Sequence, residues 1–244
     1  KGLKTMTGLF GDNATKLIVE TVEETSTDTQ NILTVTLKEV ARPFKVKLYY
    51  KAYKDCDVIK MSAEYINEGK KPIILQKYMS AALPVKSEEC WLMHIDGEHG
   101  SENNETFEPL TEGVKVLSTM EGGFPSRHNN ASFMLGTDNR ISETEGNVIA
   151  GTLAWTGNFH IEFINNMISK EPVIINAGIN PTAADYTLDG KKSLMTPEMI
   201  FTYSSKGKGQ ATRNLHYWAR NHHILDGKAE RHILLNSWEG VRMN

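Results

Sequence analysis

Ile32-Leu33-Thr34-Val35-Thr36-Leu37-Lys38-Glu39-Val40, and then Phe44-Lys45-Val46-Lys47-Leu48-Tyr49-Tyr50, run in a period of two. Alternation sends every second side chain to one face, as a half-buried β-strand requires. The same signal recurs at Val58–Ile66, Ile73–Leu83, Val114–Met120, Ser132–Leu135, Val148–Trp155, Phe159–Ile164, Val173–Ala177 and Met199–Tyr203. Turn chemistry separates the runs. Asn67-Glu68-Gly69 precedes Lys70-Lys71-Pro72, where Asn and Gly tolerate left-handed backbone and Pro72 can open the next strand. Thr156-Gly157-Asn158, between Trp155 and Phe159, reads as a tight hairpin. About ten short strands with turns between them predict a mainly β chain, a large antiparallel β-sandwich rather than alternating α/β units.

The period changes near the C-terminus. From Gln210 to His222, Ala211, Leu215, Trp218 and Ala219 recur at helical spacing, with Arg213, Asn214 and Arg220 off that face. Asp226-Gly227 then signals a turn. Arg231–Glu239 reads as a short apolar strand with polar residues at its end, the arrangement found at the mouth of a (β/α)8 barrel. The expected organisation is a sandwich over 1–208, a linker helix and turn over 209–230, and the first strand of a truncated barrel over 231–244.

With 244 residues the chain can bury a large core without metal or disulfide. A net charge of −3 offers no basic footprint for nucleic acid or an anionic membrane. No apolar run reaches the ~18–20 residues of a membrane-spanning helix. Cys56 and Cys90 sit beside apparent strands, where an unbridged thiol is the commoner state, so they do not report the compartment. The chain opens at Lys1 without an initiator Met or a signal-peptide pattern, which says nothing about export.

Candidate chemistry is sparse. His216, His222, His223 and His232 crowd the last quarter, but no thiolate lies near them in sequence and no His-Glu-x-x-His spacing occurs. They read as polar helix surface, and no metal site is expected. His94-Ile95-Asp96-Gly97-Glu98-His99 reads as a turn-rich acidic loop whose register does not match a calcium loop. The carboxylates are scattered, and Glu239 alone stands at the end of an apolar strand. Nucleophile-elbow and phosphate-loop patterns are absent. Of the four tryptophans, Trp155 and Trp218 read as core, whereas Trp238 lies among polar residues at a strand end.

Several motifs, in order, resemble the N-terminal domain of family 36 glycoside hydrolases. They are Phe10-Gly11-Asp12-Asn13-Ala14-Thr15, Asp57-Val58-Ile59, Asn67-Glu68-Gly69, Trp155-Thr156-Gly157-Asn158-Phe159, Gly178-Ile179-Asn180, Thr196-Pro197-Glu198 and Tyr203-Ser204 with Gly207. Asn236-Ser237-Trp238-Glu239 is similar to that family's entry into its catalytic barrel. Met61 departs from an Arg usual in the family, and His99 from a Trp. The resemblance implies a β-supersandwich belonging to a retaining α-galactosidase-like enzyme that acts on galactose-containing oligosaccharides. It implies no cofactor, and catalytic aspartates on later barrel strands, hence no catalytic residue within this chain. It also implies earlier strands upstream of Lys1, and a homo-oligomer in which the sandwich lines a neighbour's pocket. The one residue it carries onto substrate is Trp238, packing against the sugar ring. Two other readings are a free-standing carbohydrate-binding sandwich and an accessory domain of an α-glucoside-cleaving enzyme.

Overall fold

The computed structural model describes residues 3–5, 15–87, 89–122, 128–138, 140–166, 172–182 and 185–241. Phe10–Ala14 and residues 123–127 lie outside them, as does the side chain of Glu239. The strands are β1 (Leu3–Thr5), β2 (Leu17–Ser26), β3 (Gln30–Glu39), β4 (Phe44–Tyr53), β5 (Val58–Asn67) and β6 (Ile73–Leu75). Next come β7 (Met79–Val85), β8 (Trp91–Glu98), β9 (Ser101–Pro109), β10 (Gly113–Ser118), β11 (His128–Gly136) and β12 (Val148–Leu153). The last are β13 (Phe159–Asn165), β14 (Val173–Ile179), β15 (Tyr186–Leu188), β16 (Ser193–Met195) and β17 (Met199–Ser204). Helix α1 covers Gly207–Trp218 and α2 covers Ser237–Val241.

The alternating stretch Ile32–Tyr50 forms β3 and β4, next to the β2 edge of the largest sheet. Its order is β2-β3-β4-β5-β17-β12-β11-β8-β9, with β16 also on β5, and its ladders are antiparallel. Register fixes which side chains meet. Val35 faces Leu48, which faces Ala63, and Leu37 faces Val46, which faces Tyr65. A four-stranded sheet, β10-β13-β14-β7, lies over the β5 to β8 part. Leu92, Leu135, Met199 and Phe201 from the large sheet meet Leu117, Phe159, Ile161, Phe163 and Ile175 from the small one. Phe133 and Phe163 meet edge to face, centroids 4.9 Å apart. Gly151 lies beneath that contact, and a Cβ there would stand 2.7 Å from the Phe133 ring. A third sheet, β1-β6-β15, caps a second cluster around Phe44, Val46, Leu75 and Leu188.

The structure revises several expectations. Ile73–Leu83 is split between β6 and β7, which belong to different sheets. Thr156-Gly157-Asn158 is no hairpin: β12 lies in the large sheet and β13 in the small one, so the turn carries the chain between layers. Trp155, expected in the core, is half-exposed and donates through Nε1 to the Asn158 carbonyl at 3.2 Å. Neither Asn67 nor Gly69 takes a left-handed backbone. Asn67 is instead buried, accepting from the Gly69 N–H at 2.9 Å and donating to the carbonyls of Lys71, Leu188 and Asp189. Residues 94–98 are strand and pair with β9, whose polar sequence suits an edge that is paired on one side only.

Helix α1 starts at Gly207, whose φ of 71° favours glycine, and continues as a π-turn over Ala219–His223. Asn214 is buried, contrary to expectation. Positions 211, 214 and 218 share one face, and its Nδ2 donates to Thr202 Oγ1 at 3.0 Å and toward the Tyr203 carbonyl at 3.3 Å. The C-terminal segment differs most. Residues 231–236 form no ladder, Ser237–Val241 is helical, and Ile233, Leu234 and Leu235 are almost fully exposed. A barrel strand takes its backbone partners from neighbouring strands, and none lies beside this segment among the described residues.

Candidate functional site

Trp238 sits in the first turn of α2, 62% exposed, and its backbone N–H donates to Asn236 Oδ1 at 3.0 Å. The residue is presented to solvent beside the exposed Ile233-Leu234-Leu235 run. An indole so placed can pack on the apolar C–H face of a sugar and can transfer no proton.

A cleft of about 900 Å³ lies elsewhere. It runs from Ala82, Leu83 and Pro84 on β7, an edge of the small sheet, past Tyr50 and Ile59, to Tyr203, Lys206 and Gln210 where β17 passes into α1. Asp57 is the one carboxylate among the described residues that line it. Glycoside hydrolysis by two acids needs a facing pair roughly 5–10 Å apart, one of them with a raised pKa. Glu108, Glu162 and Glu198, all half-buried or buried, are poised the other way. Burial works against ionisation of Glu162, yet Lys77 at 2.6 Å, Asn176 at 2.8 Å and His160 at 3.2 Å outweigh it and hold the carboxyl below its usual range. Burial also opposes the charge on Glu198, which is overcome by Lys60 at 2.7 Å and Lys51 at 3.0 Å. Glu108 behaves alike, with burial outweighed by Lys115 and His94. Carboxylates held this way are structural acceptors and poor general acids.

The histidines separate by environment. His94 is buried in β8, Nε2 at 2.9 Å from Glu108 Oε1 and Nδ1 at 3.0 Å from Asp96 Oδ2, the latter without the alignment of a hydrogen bond. It fastens β8 to β9. His216 and His223 are exposed on the helix and its π-turn, whereas His232 is exposed in the non-helical segment 231–236. His222 is half-buried, because the π-turn points it at the β4–β5 turn. There Nε2 lies 2.9 Å from Asp55 Oδ1, and the Tyr53 ring packs on the imidazole at 4.5 Å. Cys56 stands beside them, a thiol distant in sequence and therefore invisible to a search along the C-terminal quarter. Both cysteines are unbridged. Burial first, and then the charge of Asp55, push the Cys56 thiol up to about 11, so without further stabilisation it stays protonated and is no activated nucleophile.

Comparison with known proteins fits this picture of a β-scaffold. A family profile, the glycosyl hydrolase family 36 N-terminal domain, matches residues 9–189. The α-galactosidase Mel36A of Lactobacillus acidophilus is 26% identical over 217 residues, covering 88% of this chain and 29% of that protein. The α-galactosidase AgaA of Geobacillus stearothermophilus is 27% identical over 211 residues, or 86% of this chain and 28% of that protein. Among solved structures, the Lactobacillus brevis α-galactosidase superposes with a TM-score of 0.88 at 21% identity, over 98% of this chain and 33% of that one. A stachyose complex of the Geobacillus AgaA gives 0.90 at 22% identity, over 100% and 35%. The chain thus spans under a third of the length of the curated relatives it matches. With its sandwich matched along most of its length, the chain belongs to glycosyl hydrolase family 36, as an N-terminal domain of that family.

Proposed function

We propose that this chain is the non-catalytic supporting domain of an α-galactosidase-like retaining glycosidase that cleaves terminal α-galactosides. The observation that carries the reading is the segment 231–241. Ile233, Leu234 and Leu235 stand out of the sandwich with nothing over them among the described residues, and Trp238 follows at once. Apolar residues in such a row gain roughly 1.5–3 kcal/mol each on burial. The first strand of a (β/α)8 barrel would bury them and bring Trp238 to the strand's C-terminal end, where barrel enzymes hold substrate. Residues 1–208 would then be the sandwich, 209–230 the linker and 231–244 the start of the barrel. Trp238 would stack on the galactose ring, and the paired catalytic carboxylates would come from later strands. Galactose-containing oligosaccharides, of which stachyose is bound in a Geobacillus relative, are the proposed ligands of the whole protein. A homo-oligomer in which the sandwich borders a neighbour's pocket belongs to the same proposal.

The test is direct. The purified 244-residue chain should give no turnover of a chromogenic α-galactoside, and measurable release of chromophore would refute the division of labour. The aromatic-flanked cleft at Tyr50, Tyr53 and Tyr203 favours one competing reading, a free-standing sugar-binding module. That reading requires calorimetric binding of a galactoside to the same chain, lost in Tyr203→Ala.

A further inference from the structure

The turn between β4 and β5 meets the π-turned end of α1 at one point, and three different ligand types converge there. A carboxylate oxygen of Asp55, Sγ of Cys56 and a ring nitrogen of His222 all lie within 4.8 Å of one another. We propose that Asp55, Cys56 and His222 form a three-ligand site for one thiophilic divalent cation of the zinc class, which clamps the β4–β5 turn to the end of the C-terminal helix.

The geometry is close to what such an ion needs. Metal–ligand distances of about 2.0 Å to nitrogen or oxygen and about 2.3 Å to sulfur place tetrahedral ligands roughly 3.3–3.8 Å apart. Closing from 4.8 Å requires about 1 Å, within the reach of side-chain torsions on an exposed turn. The pair already at 2.9 Å, His222 and Asp55, has to open by less. The donor set chooses the ion. Calcium and magnesium take six or more oxygens, whereas one thiolate, one imidazole and one carboxylate suit zinc or cobalt. A thiolate and a carboxylate would also neutralise the ion's two positive charges.

The surroundings hold the ligands ready. The Tyr53 ring against His222 limits imidazole rotation, and the Tyr217 hydroxyl lies 3.3 Å from Asp55 Oδ2, orienting the carboxylate from behind. The π-turn itself is informative, because one extra residue per turn is unfavourable for a helix and recurs at functional sites. Here it swings His222 toward the turn while the Ile224 N–H reaches back to the Ala219 carbonyl at 2.8 Å. Three protein ligands leave a fourth position, which the exposed side of Asp55 leaves to water. The site joins residues 167 apart just before the chain leaves the sandwich, and an ion there would fix the direction of exit. Neither the site nor its test depends on the sugar chemistry proposed above.

The experiment is a cobalt(II) titration of the reduced 244-residue chain, followed by displacement with zinc. Saturation near one equivalent is expected, with a near-ultraviolet thiolate-to-cobalt charge-transfer band that zinc abolishes. Cys56→Ser should remove the band, and His222→Ala should weaken zinc binding on the order of a hundredfold. Cys90→Ser, which alters the other thiol, should leave the spectrum unchanged. A wild-type chain without a thiolate band overturns the proposal whatever the variants do, and so does a band that survives Cys56→Ser.

Discussion

Two ends of the same large sheet meet different fates. From β5 to β8 the inner face is roofed by the four-stranded sheet, and Leu92, Leu135, Phe159, Ile161 and Phe163 lose all contact with solvent. At the other end, every residue of β2 is exposed, including Ile18, Val19 and Val22. Binary pattern sets which side of a strand is apolar. Whether that side is dry depends on a second layer, which is a property of topology. The roofed end therefore holds the stability, and the open end is surface that can change cheaply.

The difference can be broken most severely at its centre. Phe163→Ala removes a ring that packs edge-on against Phe133, and it should cost about 3–5 kcal/mol, read as a fall in the urea midpoint. A second test uses acid. Glu162 and Glu198 titrate lower in the folded chain than in the unfolded one. Their contribution is therefore fully present above the ordinary glutamate pKa of about 4.3 and is lost as pH falls through the lowered folded values. The thermal midpoint should drop on acidification below about pH 4, and Glu162→Gln should flatten that drop while costing about 1–2 kcal/mol at neutral pH. The smallest effect sharpens the contrast. Val22→Thr, on the open end, should change stability by no more than about 0.5 kcal/mol.

How much could be read without coordinates follows the same division. Ile32–Tyr50 announces its strands because apolar and polar residues alternate within them, and local pattern is what a sequence displays. The layer to which a strand belongs is decided by long-range pairing, so the turn after Trp155 looked like a hairpin although it joins two sheets. By polarity alone, Asn214 and Asn67 suit surface and turn positions. Both are buried because backbone and hydroxyl partners satisfy their amides, which nothing adjacent to them in sequence reveals. β9 hid behind Glu and Asn, residues that suit an edge strand and also suit a loop. At the candidate sites, Trp238 stands out by its polar neighbours, and the resemblance adds its role. The meeting of Asp55 and Cys56 with His222 had no local signal, because half of it lies in a turn and half in a helix 167 residues later.

Among the described residues the large sheet ends in β2 on one side and β9 on the other, and carboxylates stand along both margins. Glu20, Glu23 and Glu24 line the first, and Glu102, Glu105 and Glu108 the second. Glu20, Glu105 and Glu108 already face Lys45, Lys208 and Lys115, so two copies meeting margin to margin would set mainly Glu23, Glu24 and Glu102 against one another. Like charge on the two margins therefore opposes edge-to-edge pairing of two copies.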